Sequence, residues 1–460
     1  MVLERNLLPG GCVSTYYRKG FLFEAGATTL VGLDEGMPLK FLLDELALDL
    51  PARHLQVPMQ VHLNNGKVLT RYQDLDQWIT EAERVFGPQG QRGFWQECYR
   101  IAQFVWDTSI KQRSFPPSSW RDLPGMAKAF RPKQLGFIPY AFQSTESLLK
   151  KHGLNQDPVF LDFVNEQLWI TAQNEAPEVN ALFGGTALCY TNFGNYYLDG
   201  GLITLSNTLV DYIKSKGGEV IVRASVDQVI SVNGHYEVHY TERKATKVLK
   251  TKNVVSGVPL NNTIELYQGK HLAKAKKVLP ATKLVSAFST GIGFKTTQQF
   301  ECIHHQIHLP EGLPGLESGS IFLSLNHPGD NTRTPEGDFA VGSITTHIYN
   351  PDPEAEYPIP EIEAYIVKTL EEKGFLKKED IVYLHSSTPR SWENWTGRKF
   401  GAVGGYPQYL KIKPWQLADA RLDHKGAYIC GDTTYPGQGI PGTCLSGLIA
   451  YEKMRIDGRI

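Results

Sequence analysis

The chain has 460 residues, with 47 basic against 48 acidic side chains and a formal net charge of −1. It therefore carries no electrostatic footprint for nucleic acid. With 41% apolar and 21% charged residues it has the composition of an ordinary globular protein, long enough for about three domains, and not that of a disordered chain.

No apolar run reaches the roughly 18 residues of a membrane-spanning helix, and the first residues lack the basic-then-apolar order of a signal peptide. The six cysteines (Cys12, Cys98, Cys189, Cys302, Cys430, Cys444) are widely spaced and form no paired motif. That spacing predicts buried free thiols in a reducing compartment, with no disulfide set and no metal.

Val2 and Leu3 start a strand, Glu4 is its acid, and Pro9-Gly10-Gly11 turns the chain. In a nucleotide-binding unit such an acid closes the second strand and hydrogen-bonds a ribose, with phosphate-binding glycines roughly 20 residues earlier. Phe21 and Phe23 then alternate before Gly26. Residues 34–196 read as mostly helical and aromatic-rich. Within them "LPGMAKAFRPKQLGFIPYAF" carries Lys128, Arg131 and Lys133 with no acid between Asp122 and Glu146. That composition predicts an interfacial helix on anionic lipid.

From Tyr197 onward, Leu202, Leu205, Leu209 and Ile213 are spaced as a helix that Gly217-Gly218 stops. "EVIV", "HYEVHY" and "NVVSGVP" follow as strands. Residues 263–397 alternate as strands ("KLVSAFST", "SIFLSL", "FAVGSITTHI"), with one helix at "EIEAYIVKTLEEKG". "GAYICGD" is a last strand entering a glycine loop, and "TCLSGLIAYEKM" a closing helix.

The most informative stretch is "CGDTTYPGQGIPGTCLSG". Asp432 follows a strand and can accept from a ribityl hydroxyl, while Gly437, Gly439 and Gly442 let the backbone approach a ring and a pyrophosphate. Pro441 suits the first turn of a helix whose free N–H groups favour an anion or an electron-rich ring edge. In "IHHQIHLP", His304 and His308 stand four apart, which on a helix is a metal-ligand spacing. Ile303, Ile307 and Pro310 favour a short strand instead, either one that sets a polar pair near a substrate mouth or, more plainly, a surface strand. Arg390 and Arg398 could line the site, though such arginines are more often structural. No paired carboxylates or nucleophile elbow stand out, so no catalytic residue is assigned; that pattern suits an enzyme whose cofactor carries the chemistry.

"VLERNLLPGG", "GFLFEAGATTL", "DGGLITLSNTLVDYIKSKGGEVIVRASVDQVI" and "YICGDTTYPGQGIPGTCLSG" together resemble the carotenoid desaturase and carotenoid isomerase flavoproteins. These form the phytoene-desaturase branch of the amine-oxidase superfamily, and the resemblance runs over essentially the whole chain. It implies an α/β fold: a Rossmann-like FAD-binding domain in three segments (1–33, 197–262, 398–460), interleaved with a helical cap (34–196) and a mixed β-sheet substrate domain (263–397). It also implies a first strand, a G-x-G-x-x-G turn and a helix ahead of Met1. That strand would lie at the sheet centre, so the sequence as it stands is expected to be insoluble or flavin-free.

By the same resemblance FAD is the cofactor. Glu4 would bind the adenosine ribose, Gly10 and Gly11 would pass near the flavin, and Val226 would meet the adenine through its backbone. Asp432, after Gly431, would hold the ribityl chain, and Gly439, Ile440, Pro441 and Gly442 would face the isoalloxazine edge. Glu24 stands where relatives carry Asp, and Cys12 where many carry a basic residue.

The expected activity is FAD-dependent desaturation or flavin-assisted cis–trans isomerisation of a long apolar polyene. The expected setting is a cytoplasmic protein reversibly attached to a membrane surface. Two alternatives are a non-enzymatic prenyl-binding protein of the GDP-dissociation-inhibitor type and an amine oxidase. The intact glycine loop speaks against the first, and the apolar helical insert against the second.

Overall fold

Two short parallel pairs join the segments expected to bind the nucleotide. Val2–Glu4 runs beside Val220–Val222, and Val254–Ser256 beside Ala427–Ile429. The computed structural model describes residues 1–267, 284–352, 354–423 and 425–460. Among these, no ladder joins one pair to the other. The helices Ile203–Ser215 and Ile440–Ile456 follow the Gly200-Gly201 and Gly437–Gly439 turns. A three-stranded meander (Ala224–Val232, His235–Glu242, Ala245–Thr251) branches off after the first pair.

The larger layer is a seven-stranded sheet. Its order is Ile381–Ser387, Val285–Lys295, Phe339–Tyr349, Ser320–Leu325, His304–His308, Met59–His62 and Val68–Arg71. Every pairing is antiparallel except that between His304–His308 and Met59–His62. Two of its strands thus leave the helical stretch, because Met59, Val61, Leu69 and Arg71 alternate inward at period two.

The hairpin Thr15–Arg18/Phe21–Glu24 docks on this sheet over Gly291 and Gly293. A Cβ at Gly291 would stand 2.8 Å from the Phe23 ring, and one at Gly293 2.7 Å from the Phe21 ring.

The helical layer packs around Trp78, Phe94, Trp95, Phe160 and Phe163, all fully buried. Arg71 lies inside this cluster, its guanidinium 4.1 Å from the Trp78 ring centroid. It donates to Gln167 Oε1 at 2.7 Å and to the Leu188 carbonyl at 2.6 Å, while its buried Nε has no hydrogen-bond partner.

Residues 123–142 are not one interfacial helix. A short helix, Leu123–Ala129, gives way to a 3₁₀ run over Pro132–Phe142. Pro132 and Pro139 lack the N–H that an α-helix needs there. The root of the segment is anchored electrostatically. Asp122 accepts from Arg421 at 2.8 and 2.9 Å and lies 2.9 Å from Lys453 Nζ, and all three side chains are sealed from solvent. Lys453 also donates to the carbonyls of Ser114 and Pro116 at 2.7 and 2.8 Å. Among the described residues no helix is long and apolar enough to cross a membrane.

His304–His308 is no surface strand: all five residues are buried between Ser320–Leu325 and Met59–His62. Among the described residues no group of three or more His, Cys, Asp or Glu side chains is placed to hold a metal ion. Burial pushes the His308 imidazole down to about 4, and its Nε2 has no partner.

The unfolded chain protonates this ring near the ordinary 6.5 while the fold keeps it neutral to about 4. Its contribution to stability is therefore complete above pH 6.5 and lost as pH falls toward 4. Between pH 7 and pH 5 the single group accounts for about 2 kcal/mol. His308→Leu should lessen the fall in unfolding free energy between pH 7 and pH 5, read from urea titrations, by that amount. An unchanged decline would show that the ring does not titrate on unfolding.

Candidate cofactor and substrate site

A cavity of about 960 Å³ lies between the nucleotide-binding pairs, the sheet and the helical layer. Its polar end is built by Cys12, Gly26, Thr28, Asp432 and the start of the last helix. Its other end is apolar, lined by Phe104, Trp106, Phe130, Phe137, Ile138 and Phe142. Phe104 and Phe137 stack face to face with centroids 3.9 Å apart.

Asp432, Gly439, Ile440, Pro441 and Gly442 line the polar end together. Gly439 has φ +87° and only Pro441 Cδ within 4 Å of a Cβ position, so the backbone there faces open space. Gly442 packs tightly, a Cβ falling 2.8 Å from the Gly437 carbonyl oxygen. Gly431 sits just behind, its N–H donating to Ser446 Oγ at 2.9 Å.

Glu4, Gly10, Gly11 and Val226 do not line the cavity. Glu4 Oε1 accepts from the Asn6 N–H at 2.7 Å, and burial raises its carboxyl. The Arg223 N–H donates to the Asn6 carbonyl at 2.9 Å, which brings the Glu4 and Val226 segments together at the far end of the nucleotide half. Gly10 (φ +103°) presses on Ser206, while a Cβ at Gly11 would meet nothing within 4 Å.

Three features escape sequence reasoning in whole or part. Arg398 is one: it donates to Asp432 Oδ2 at 2.6 Å and to the Ala402 carbonyl at 2.6 Å, so the site's carboxylate is already ion-paired. Arg390 is exposed and takes no part.

The second is a hydrogen-bonded chain from the sheet into the cavity. Ser324 Oγ donates to Thr28 Oγ1 at 2.8 Å and stands 2.8 Å from His304 Nδ1. With its one proton given to Thr28, Ser324 accepts from His304 Nδ1–H, which leaves the Thr28 hydroxyl proton for the cavity. Burial keeps this imidazole neutral, pushed down to about 3. The third is Trp392, whose buried Nε1–H has no protein partner and whose ring lines the cavity.

The flavin containing amine oxidoreductase family matches residues 1–452. This chain belongs to that family. Its cofactor is FAD.

Among the flavoprotein's relatives is the chloroplastic prolycopene isomerase of Arabidopsis thaliana, 24% identical over 99% of this chain and 78% of the relative. The lycopene-forming phytoene desaturase of Pseudescherichia vulneris is 22% identical over 97% and 92%. Wild-type putrescine oxidase bound to putrescine shares the fold, with a TM-score of 0.62 at 15% identity, covering 99% of this chain and 93% of that one.

The flavoprotein's own residues fit FAD. Buried polar atoms without a protein partner (Trp392 Nε1, Gln173 Oε1, Gln438 Oε1) lie on residues that line the cavity, beside a glycine-cradled helix start. Asp432 and the Gly439–Gly442 turn would hold the flavin and ribityl part. Glu4 and Val226, outside the cavity lining, would hold the adenosine end.

Asp432→Ala should weaken FAD binding about tenfold to over a hundredfold, the worth of a charge-assisted hydrogen bond. It also strands the Arg398 guanidinium, so melting temperature should fall. Adding Arg398→Met should restore the melting temperature and leave FAD binding weak. Flavin fluorescence titration and thermal melting read the two effects separately. Undiminished FAD affinity in Asp432→Ala would remove Asp432 from the cofactor site.

Proposed function

We propose that this flavoprotein desaturates or cis–trans isomerises a long apolar polyene. The observation that carries the reading is the charge content of the cavity. Its one lining carboxylate among the described residues is Asp432, and Arg398 already neutralises it. A protonated amine would enter with no counter-charge, and a desolvated unpaired cation is costly. A conjugated hydrocarbon needs none, and the aromatic walls offer it stacking and dispersion contacts. The names of the isomerase and desaturase relatives point the same way.

When bound, FAD supplies a two-electron acceptor or donor. The chain's own part is to align the polyene, exclude water and fix the polar end: Phe104, Phe137 and Phe322 form walls, and Thr28 presents a directed hydroxyl.

The test is anaerobic flavin absorbance with phytoene in detergent against putrescine in buffer, joined to pigment analysis of the polyene. Conversion of the polyene, with no flavin reduction by putrescine, is the expected result. Reduction by putrescine with every polyene left unchanged would overturn the reading in favour of an amine oxidase.

The reading extends to a reversible, cytoplasm-facing membrane attachment. Phe130, Leu135, Ile138 and Phe142 line the cavity and are also 45–56% exposed, so they form its mouth. Trp120 and Leu123 continue the exposed apolar surface, and Lys128, Arg131 and Lys133 are exposed beside it. A polyene passing from a bilayer directly into this mouth avoids a hydration cost of about 0.8 kcal/mol per CH₂. The protein should float with anionic liposomes at low salt, and a Lys128→Glu/Arg131→Glu/Lys133→Glu variant should not. Absence of flotation in the parent protein would sink the attachment.

A further inference from the structure

His347 lies on the strand Phe339–Tyr349, opposite Ala287 across the ladder. Both residues line the cavity, together with Phe322 and Thr345, which pair across the adjoining ladder. The His347 ring packs against Trp169, centroids 6.4 Å apart. It takes part in no hydrogen bond or ion pair among the described residues, and neither ring nitrogen is sealed from the cavity.

Every other titratable side chain on the cavity wall is occupied or protonated. Asp432 is locked to Arg398. Burial raises Cys12, Tyr190 and Tyr435, so each keeps its proton near neutral pH. Tyr349 lies two residues further along the same strand, and Glu166, on the helix Pro158–Ala172 that also carries Trp169, is bound by Ser320 Oγ at 2.5 Å. No acid lies within 4 Å of the imidazole to hold a charge on it. Burial alone pushes it down to about 4, so at pH 7 it offers a bare lone pair.

We propose that His347 is the base that takes the proton from the polyene when the substrate is dehydrogenated. The inference rests on the desaturation reading above. Forming one C=C bond breaks two C–H bonds on adjacent carbons. Bound FAD would supply the two-electron acceptor for one hydrogen, which leaves with its electron pair as hydride. The other leaves as a proton to the imidazole lone pair, and its C–H electrons become the new π bond. Loss of hydride beside an existing double bond makes the neighbouring C–H strongly acidic, so a neutral imidazole is base enough. The imidazolium then returns its proton to water at the open mouth.

The first arm uses flavin-free full-length protein with ¹⁵N-labelled histidine, titrated with phytoene in detergent micelles. The ring signals of His347 should shift, and those of His308 should stay. The second arm uses flavin-loaded enzyme. His347→Gln should lose about a hundredfold or more in kcat, as removal of a general base does, with KM within about threefold and FAD content and melting temperature unchanged. His347→Ala should regain turnover when imidazole is added, which a purely structural residue would not allow.

Unmoved His347 signals, or a His347→Gln variant keeping half the parental kcat, would overturn the inference. Isomerisation without dehydrogenation, equally fast in the variant, would overturn it while leaving the polyene reading in place. A parent enzyme that alters no polyene would overturn both.

Discussion

The buried contact of Asp122 with Arg421 and Lys453 is the constraint on which the cavity depends. Asp122 stands at the root of the segment that carries the apolar cavity mouth, Arg421 precedes the strand Ala427–Ile429, and Lys453 belongs to the closing helix. Ions removed from water this far are stable only when each is matched, and Arg421 finds its second acid in Asp457 at 2.7 Å. Because the charges lock only at one spacing, the mouth is held in fixed relation to the helix whose first turn forms the polar end. Removing any one member would leave its partners charged and dry, a larger loss than the pair itself contributes.

Given that frame, the cavity divides into two chemical regions by simple segregation. The nucleotide half contributes turns and helix starts, which bring unspent N–H groups and left-handed glycines. The helical layer contributes mostly aromatic and aliphatic faces, with uncharged polar groups such as Thr108, Gln112 and Thr171 among them. The sheet between them contributes a polar stripe, since Ser324, Thr345 and His347 occupy one face in adjacent ladders. Charge is confined to the Asp432–Arg398 pair at the polar end, so a long neutral molecule meets no unbalanced field along the walls.

Much of this organisation is legible in local sequence because it depends on local rules. The glycine loop ending at Gly442, the helix from Ile203 and the strands "SIFLSL" and "FAVGSITTHI" are governed by turn chemistry and hydrophobic period. What is not legible is set by neighbours far along the chain. Arg398 reads as one of two arginines that could line the site, and only the fold singles it out by placing it against Asp432, 34 residues on. His304–His308 reads as a surface strand because three histidines suggest water. It is buried because strands from either side of it close over both edges. The 123–142 segment has the composition of an interfacial helix, but Pro132 and Pro139 divide it. The Thr28–Ser324–His304 chain joins three segments that share no pattern at all.

Gly291 and Gly293 have a further consequence. Bare of side chains, they let the Phe21 and Phe23 rings settle against the sheet backbone, so the hairpin and the sheet touch at van der Waals distance. That hairpin runs directly into Gly26, Ala27 and Thr28, the stretch at the polar end, while the sheet carries the opposite wall. The two glycines thus act as a calliper set to its narrowest opening. The gap across which cofactor and substrate must meet is gauged by atoms that are absent, at two positions that touch neither.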